Sequence, residues 1–84
     1  MAYFAAILYM EKPELNQEYR QAHLDYLAAL VEQEKVHLKG PFTDGAGGMV
    51  VYKAESMEEA QKLAEEDPYV KEGVRRLELH EWGI

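Results

Sequence analysis

The twenty residues from Leu15 to Glu34 set the first limit on the fold. Leu15, Tyr19, Ala22, His23, Tyr26, Leu27, Leu30 and Val31 recur every three or four positions, while Gln17, Glu18, Arg20, Gln21, Asp25 and Glu32 fill the gaps. That spacing gathers the apolar side chains on one stripe of an α-helix about 30 Å long. Pro13 stands just ahead, where its missing N–H does least harm. A helix of this length has to lay its stripe on something, and the flanking segments supply a sheet. Tyr3 to Met10 is a short aromatic and aliphatic run bounded by Glu11-Lys12-Pro13, the pattern of a strand buried on both faces. Val36-His37-Leu38-Lys39 alternates with period two and meets the breaker pair Gly40-Pro41.

The second half repeats the order. Thr43 to Gly48 is a hairpin-type loop centred on Asp44-Gly45, followed by Met49 to Ala54, a strand by its β-branched and aromatic content. Ser56-Met57-Glu58-Glu59 fits a capping box opening a helix to about Glu66 that buries Ala60, Leu63 and Ala64. Asp67-Pro68 starts a further turn ending near Gly73. The last strand, Val74 to Trp82, puts Leu77 and Leu79 on one face and Arg76, Glu78, His80 and Trp82 on the other. Strand–helix–strand twice over predicts an α+β, ferredoxin-like βαββαβ sandwich: a four-stranded antiparallel sheet with both helices on one face. The other face is left bare, and in a chain this small an uncovered apolar face is a partner site.

Composition narrows the function. Residues 1–84 make one domain, with 48% apolar and 30% charged residues, a globular rather than disordered balance. No apolar run approaches the ~20 residues of a membrane span, and the first ten residues lack the basic region of a secretory signal. There is no cysteine, hence no disulfide staple, thiolate site or cysteine nucleophile, which fits a cytoplasmic protein. Nine basic against sixteen acidic residues leave a net charge of −7, the wrong sign for binding nucleic acid or an anionic membrane. The RNA-recognition fold shares the βαββαβ order. Aligned on Tyr52, however, the segment from Gly45 lacks the basic residue and both inner aromatics that such a third strand uses to stack bases. A core this small, without staple or metal, is expected to gain stability by oligomerisation.

Two residues carry the chemistry. His23 lies on the apolar stripe, one turn from Tyr19, Tyr26 and Leu27, where an imidazole must find a hydrogen-bond partner. A carbonyl or a water would suffice, but imidazole is also the side chain best suited to proton transfer near neutral pH. Asp67 before Pro68 is an N-cap with a first-turn proline. Its carboxylate can still reach a neighbouring imidazole, because both helices lie on the same sheet face. His37 and His80 fall on strands, and no His, Asp and Glu set has metal-ligand spacing, so no metal is expected. Gly45-Ala46-Gly47-Gly48 leads into a strand and lacks the Lys-Ser/Thr pair of a phosphate loop.

Arg20-Gln-Ala-His23-Leu-Asp-Tyr26-Leu27, Gly40-Pro41-Phe42 before a Gly-rich turn, Ser56 through Glu59-Ala60, and Asp67-Pro68-Tyr69-Val70-Lys-Glu-Gly73-Val74 closing on Trp82 together resemble the YciI-like family nearly end to end. The resemblance implies a homodimer through the open sheet face, the dimeric α/β-barrel arrangement. It also implies a cleft with a histidine–aspartate dyad at His23 and Asp67, and an arginine at Arg20 able to hold an anionic group. Glu34-Lys35 departs from relatives that end the first helix on glycine. Relatives include an enzyme that eliminates chloride from a chlorinated hydroxyquinol, and muconolactone isomerase shares the barrel. The expectation is a cofactor-independent lyase or isomerase acting on a small cyclic or aromatic compound, with Tyr9, Tyr19 and Tyr26 as candidates for the pocket wall or for core packing. The competing expectation is a non-catalytic ligand-binding or interaction module of the same fold.

Overall fold

The computed structural model describes residues 1–84. Strand β1 (Ala2–Met10) leads to helix α1 (Pro13–Glu32), then to strands β2 (Val36–Pro41) and β3 (Gly47–Ala54). Helix α2 (Met57–Glu65), the short helix α3 (Pro68–Lys71) and strand β4 (Arg75–Trp82) complete the chain. The sheet order is β2-β3-β1-β4 with every pairing antiparallel, the ferredoxin-like α+β sandwich. Registers Phe4↔Tyr52, Ala6↔Val50 and Leu8↔Gly48 place the even positions of β1 opposite the even positions of β3. These are the residues that α1 and α2 cover: Phe4, Ala6, Leu8, Val50, Tyr52 and Ala54 are all buried, packed with Leu27, Leu30, Ala60 and Ala64. Each large aliphatic side chain so buried is worth roughly 1.5–3 kcal/mol.

β1 is buried on one face only. Tyr3, Ala5, Ile7 and Tyr9 point to the opposite side and are half-buried, beside Met49, Lys53 and the fully buried Val51 of β3. Leu38 and Trp82 stand exposed toward that side, and the Tyr3 ring lies 4.7 Å from the His37 ring. Both expected strand limits around the hairpin move outward. β2 continues through Gly40-Pro41 because it is an edge strand, where a proline at the end of the ladder loses little. β3 begins at Gly47, whose φ is +143° and where a β-carbon would sit 1.9 Å from the carbonyl oxygen of Leu8. The glycines are therefore part of the sheet, needed for close approach to β1.

The helix ends follow local chemistry. Ser56 Oγ accepts from the Glu59 N–H at 3.1 Å, and Glu59 reaches back to the N–H of Glu55 at 3.1 Å rather than to that of Ser56. α1 closes in a Schellman motif: Lys35 N–H donates to the Leu30 carbonyl at 2.9 Å and Glu34 N–H to the Val31 carbonyl at 3.0 Å. That geometry puts Glu34 at φ +59°, the only non-glycine residue with positive φ. A side chain there costs about 1–2 kcal/mol, part of which glycine returns as unfolded-state entropy. Glu34→Gly is therefore expected to stabilise the fold by about 1 kcal/mol, raising Tm by roughly 4–8 °C in a chain of this size. Glu34→Val should lower it, and thermal melts of the two variants check both signs.

Candidate functional site

Asp67 is placed by its own helix. As N-cap of α3 it takes an extended backbone (φ −61°, ψ 127°), and its Oδ1 accepts the Tyr69 N–H at 2.9 Å. The carboxylate is fully enclosed, and one backbone N–H is poor compensation for a buried charge. α1 supplies the rest. Asn16, Arg20, His23 and Leu27 fall at intervals of four, three and four residues, so they share one face of the helix, and that face looks onto α3 and the sheet. From it His23 Nδ1 meets Asp67 Oδ1 at 2.8 Å and Oδ2 at 2.9 Å.

An ionised carboxylate only accepts hydrogen bonds, so in the neutral ring the proton belongs on Nδ1 and the lone pair on Nε2. Nε2 has no hydrogen-bond partner within the protein and is not sealed from solvent, while the His23 side chain as a whole is only 12% exposed. The imidazole is thus held from behind, with its free nitrogen facing outward. The ring also stacks on Tyr69, centroids 4.2 Å apart at 23°. Two contacts on different sides leave the ring little freedom to turn.

Tyr69 supports a second polar group. The Arg75 guanidinium lies 4.2 Å from the Tyr69 ring centroid, and its Nη2 donates to Asn16 Oδ1 at 2.9 Å. The Tyr69 hydroxyl donates to the Asn16 carbonyl at 3.2 Å, so Asn16 anchors both residues. Burial pushes the Tyr69 hydroxyl up from its ordinary pKa, although Arg75 and Arg20 pull the other way, and it stays a neutral donor. Burial likewise pulls Arg75 below its ordinary value, with Tyr69 and Asp67 opposing, yet a guanidinium keeps its charge.

These groups border a cleft of about 280 Å³ between α1, α3 and the β2–β3 end of the sheet. Its apolar wall is Leu8, Leu24, Leu27 and Val50; its polar wall is His23, Asn16, Tyr69 and the cations Arg20, Lys39 and Arg75. The floor exists because Gly48 has no side chain. Gly40 and Gly48 both line it, and a β-carbon on Gly48 would meet the Gly40 carbonyl oxygen at 2.9 Å and Arg75 Nη1 at 3.4 Å. No three His, Asp or Glu side chains gather anywhere as a metal would require.

Of the residues singled out in the sequence, His23 and Asp67 are in contact, and Arg20 lines the same cleft. Tyr26 is elsewhere: it packs on the core and its hydroxyl donates to the Leu63 carbonyl at 2.6 Å, with burial pushing its pKa up to about 12. Tyr9 is on the opposite sheet face, its ring 4.4 Å from the Arg76 guanidinium, because an odd position of β1 cannot face the helices. Tyr19 does not border the cleft either. Sequence reasoning assigned no role to Asn16, Tyr69, Gly48 or Arg75. Arg75 had a signal: it is in phase with Leu77 and Leu79, a charge on the apolar side of a strand.

The chain matches the YCII-related domain over residues 1–83. It is 35% identical to the uncharacterized protein YjpA of Bacillus subtilis (strain 168), a match covering 98% of this chain and 96% of that protein. Among solved structures, it resembles the 5-chloro-2-hydroxyhydroquinone dehydrochlorinase TftG from Burkholderia phenoliruptrix AC1100, determined in complex with 2,5-dihydroxybenzoquinone. The TM-score is 0.78 at 24% identity, covering 96% of this chain and 93% of the other, which makes the two folds alike.

If Asp67 sets the tautomer, ¹⁵N spectra of the His23 ring at neutral pH should show a protonated Nδ1 and an unprotonated Nε2. Asp67→Asn should mix the two tautomers and lower stability by about 1–3 kcal/mol as the charge-assisted bond is lost. An unchanged ring spectrum in the variant would contradict the coupling.

Proposed function

The chain belongs to the YCII-related family, and from that premise we propose a cofactor-independent enzyme of lyase or isomerase type that moves a proton on a small cyclic or aromatic compound. The observation that carries the proposal is the divided role of the His23 imidazole: Nδ1 bonded to a carboxylate with no solvent exposure, Nε2 unpartnered at a cleft. In this reading Nε2 takes a proton from a carbon beside a carbonyl or from a phenolic oxygen. The electron pair left behind moves into the conjugated oxygen, and Asp67 stabilises the imidazolium that forms. In an elimination a leaving group then departs from the neighbouring carbon with its bonding pair; in an isomerisation the imidazolium returns the proton to another carbon. Arg20 is the proposed partner of an anionic substituent. The chloride-eliminating activity named for the structural relative belongs to that protein; it supports the class of reaction proposed here and not the substrate.

The proposed enzyme works as a homodimer paired through the open sheet face. Support comes from the half-buried Ile7 and Met49 and the exposed Leu38 and Trp82, apolar groups that no helix of the same chain covers. No helix is long and apolar enough to cross a membrane, and the cysteine-free sequence supports a cytoplasmic setting.

Turnover tests the catalytic proposal. A panel of lactones, hydroquinols and halophenols, followed by product formation and by carbon-bound deuterium uptake from D2O, should include at least one compound that the protein processes. His23→Ala should reduce that rate 10²–10⁴-fold, the usual worth of a general base, with about the same KM. Equal rates in parent and variant, or none in either, would favour a binding module. Sedimentation at micromolar concentration should give twice the 9.7 kDa chain mass; a species of 9.7 kDa would remove the dimer from the proposal.

A further inference from the structure

The charges around the cleft are sorted. The chain carries sixteen acidic and nine basic residues, yet the cleft is lined by three basic residues, Arg20, Lys39 and Arg75, and by no aspartate or glutamate. None of the three cations is within ion-pair distance of a carboxylate; the arginine ion pair of the fold is Arg76–Glu11, and the histidine–carboxylate contacts are His23–Asp67 and His80–Glu78. Three unpaired cations around one hollow repel each other, in a molecule with seven surplus negative charges from which to draw partners.

Arg75 is the most constrained of them. Arg20 and Lys39 are exposed, whereas Arg75 is half-buried, over the Tyr69 ring and tied to Asn16. Of its five N–H donors, the protein engages one group: Nη2 has Asn16, Nε is buried with no acceptor, and Nη1 is unpartnered beside Gly48. A half-buried, held and unsatisfied guanidinium is what a planar anion needs, because little side-chain freedom remains to be lost on binding. We propose that Arg75, with the exposed Arg20 as an auxiliary, is the principal anion-binding residue of the cleft and that the ligand is a one-ring compound carrying a carboxylate or phenolate, within reach of both Arg75 and the free nitrogen of His23. This deepens the catalytic reading above and rests on it for the role of His23.

The dimensions of the cleft suit a ligand of one ring. Imidazole and guanidinium each lie 4.2 Å from the Tyr69 centroid, so they stand no more than about 8.4 Å apart, twice that distance. The volume agrees: a cavity of roughly 150 Å³ accepts benzene, so the 280 Å³ found here accommodates a ring with its substituents. Leu24, Leu27 and Val50 offer the ring an apolar wall, while the three cations take its charged end.

Calorimetric titration with benzoate and with its neutral counterpart benzamide tests the assignment. The unaltered protein should bind benzoate at least tenfold more tightly than benzamide. Arg75→Gln should remove that preference by weakening benzoate tenfold or more while leaving benzamide unchanged, and His23→Ala should keep it. Equal binding of the two probes by the unaltered protein, or a preference that survives Arg75→Gln, overturns the proposal. Should Arg75→Gln fail to fold, Arg75→Lys serves in its place: it keeps the charge but loses the planar fork, and undiminished benzoate affinity in it overturns the proposal equally. The two readings fail separately. Full turnover in His23→Ala would remove the base and leave the anion site standing, whereas loss of turnover with an unaltered benzoate preference in Arg75→Gln would do the reverse.

Discussion

Asp67 has been stripped of water completely, and the arrangement of three elements follows from what replaces that water. Its own helix supplies one N–H, from Tyr69; a second donor has to come from elsewhere in the chain, and it comes from His23 on α1. Because a buried charge without partners costs several kcal/mol, the bond between them fixes where α3 lies along α1. The same bond decides which imidazole nitrogen is left over. Satisfaction of a buried carboxylate and orientation of a candidate base are one interaction seen from two sides, so no substitution at Asp67 can touch the second without touching the first.

Tyr69 extends this economy. Its backbone N–H caps onto Asp67, its ring lies against both His23 and Arg75, and its hydroxyl ties to Asn16. A base and a cation, which would repel each other if the base became charged, are kept at a set spacing by one aromatic ring. The hollow beside them is as much a product of the sheet. Gly48 lies beside the Gly40 carbonyl across the β2–β3 pair, and the volume that its missing side chain leaves empty is the floor.

Much of this was legible in the chain before any coordinates. Spacing of three and four located α1, an unbroken apolar run located β1, alternation located β2, and β-branched and aromatic content located β3; their order left little choice but the observed sandwich. Contact between His23 and Asp67 was permitted by an N-cap and an apolar-stripe histidine on elements that share a sheet face, with a carbonyl or water as the open alternative, and it was the family resemblance that implied it. Tyr9 was not, since β1 is apolar at both odd and even positions: Tyr3, Ile7 and Tyr9 look as core-seeking as Phe4, Ala6 and Leu8, and only the register to β3 separates them. The glycines misled for a different reason. Asp44-Gly45 is a hairpin turn, but Gly47 and Gly48 serve the strand that follows, and a glycine needed for close approach has the same one-letter signature as a glycine needed for a turn. Glu34 sits where relatives of the family end the helix on glycine; the hydrogen bonds closing α1 hold it there despite its side chain.

Arg75 and Arg76 are neighbours with identical side chains and opposite destinations. One enters the cleft and rests on Tyr69; the other crosses to the open side and rests on Tyr9. A one-residue slip of β4 against β1 would exchange them, turning Leu77 and Leu79 outward at the same time. The apolar pair therefore acts as a proofreader for the charged pair: the hydrophobic penalty for misthreading protects a polar feature that has no comparable energy of its own. For this protein, fidelity of strand alignment and selectivity of the cleft are properties of the same eight residues.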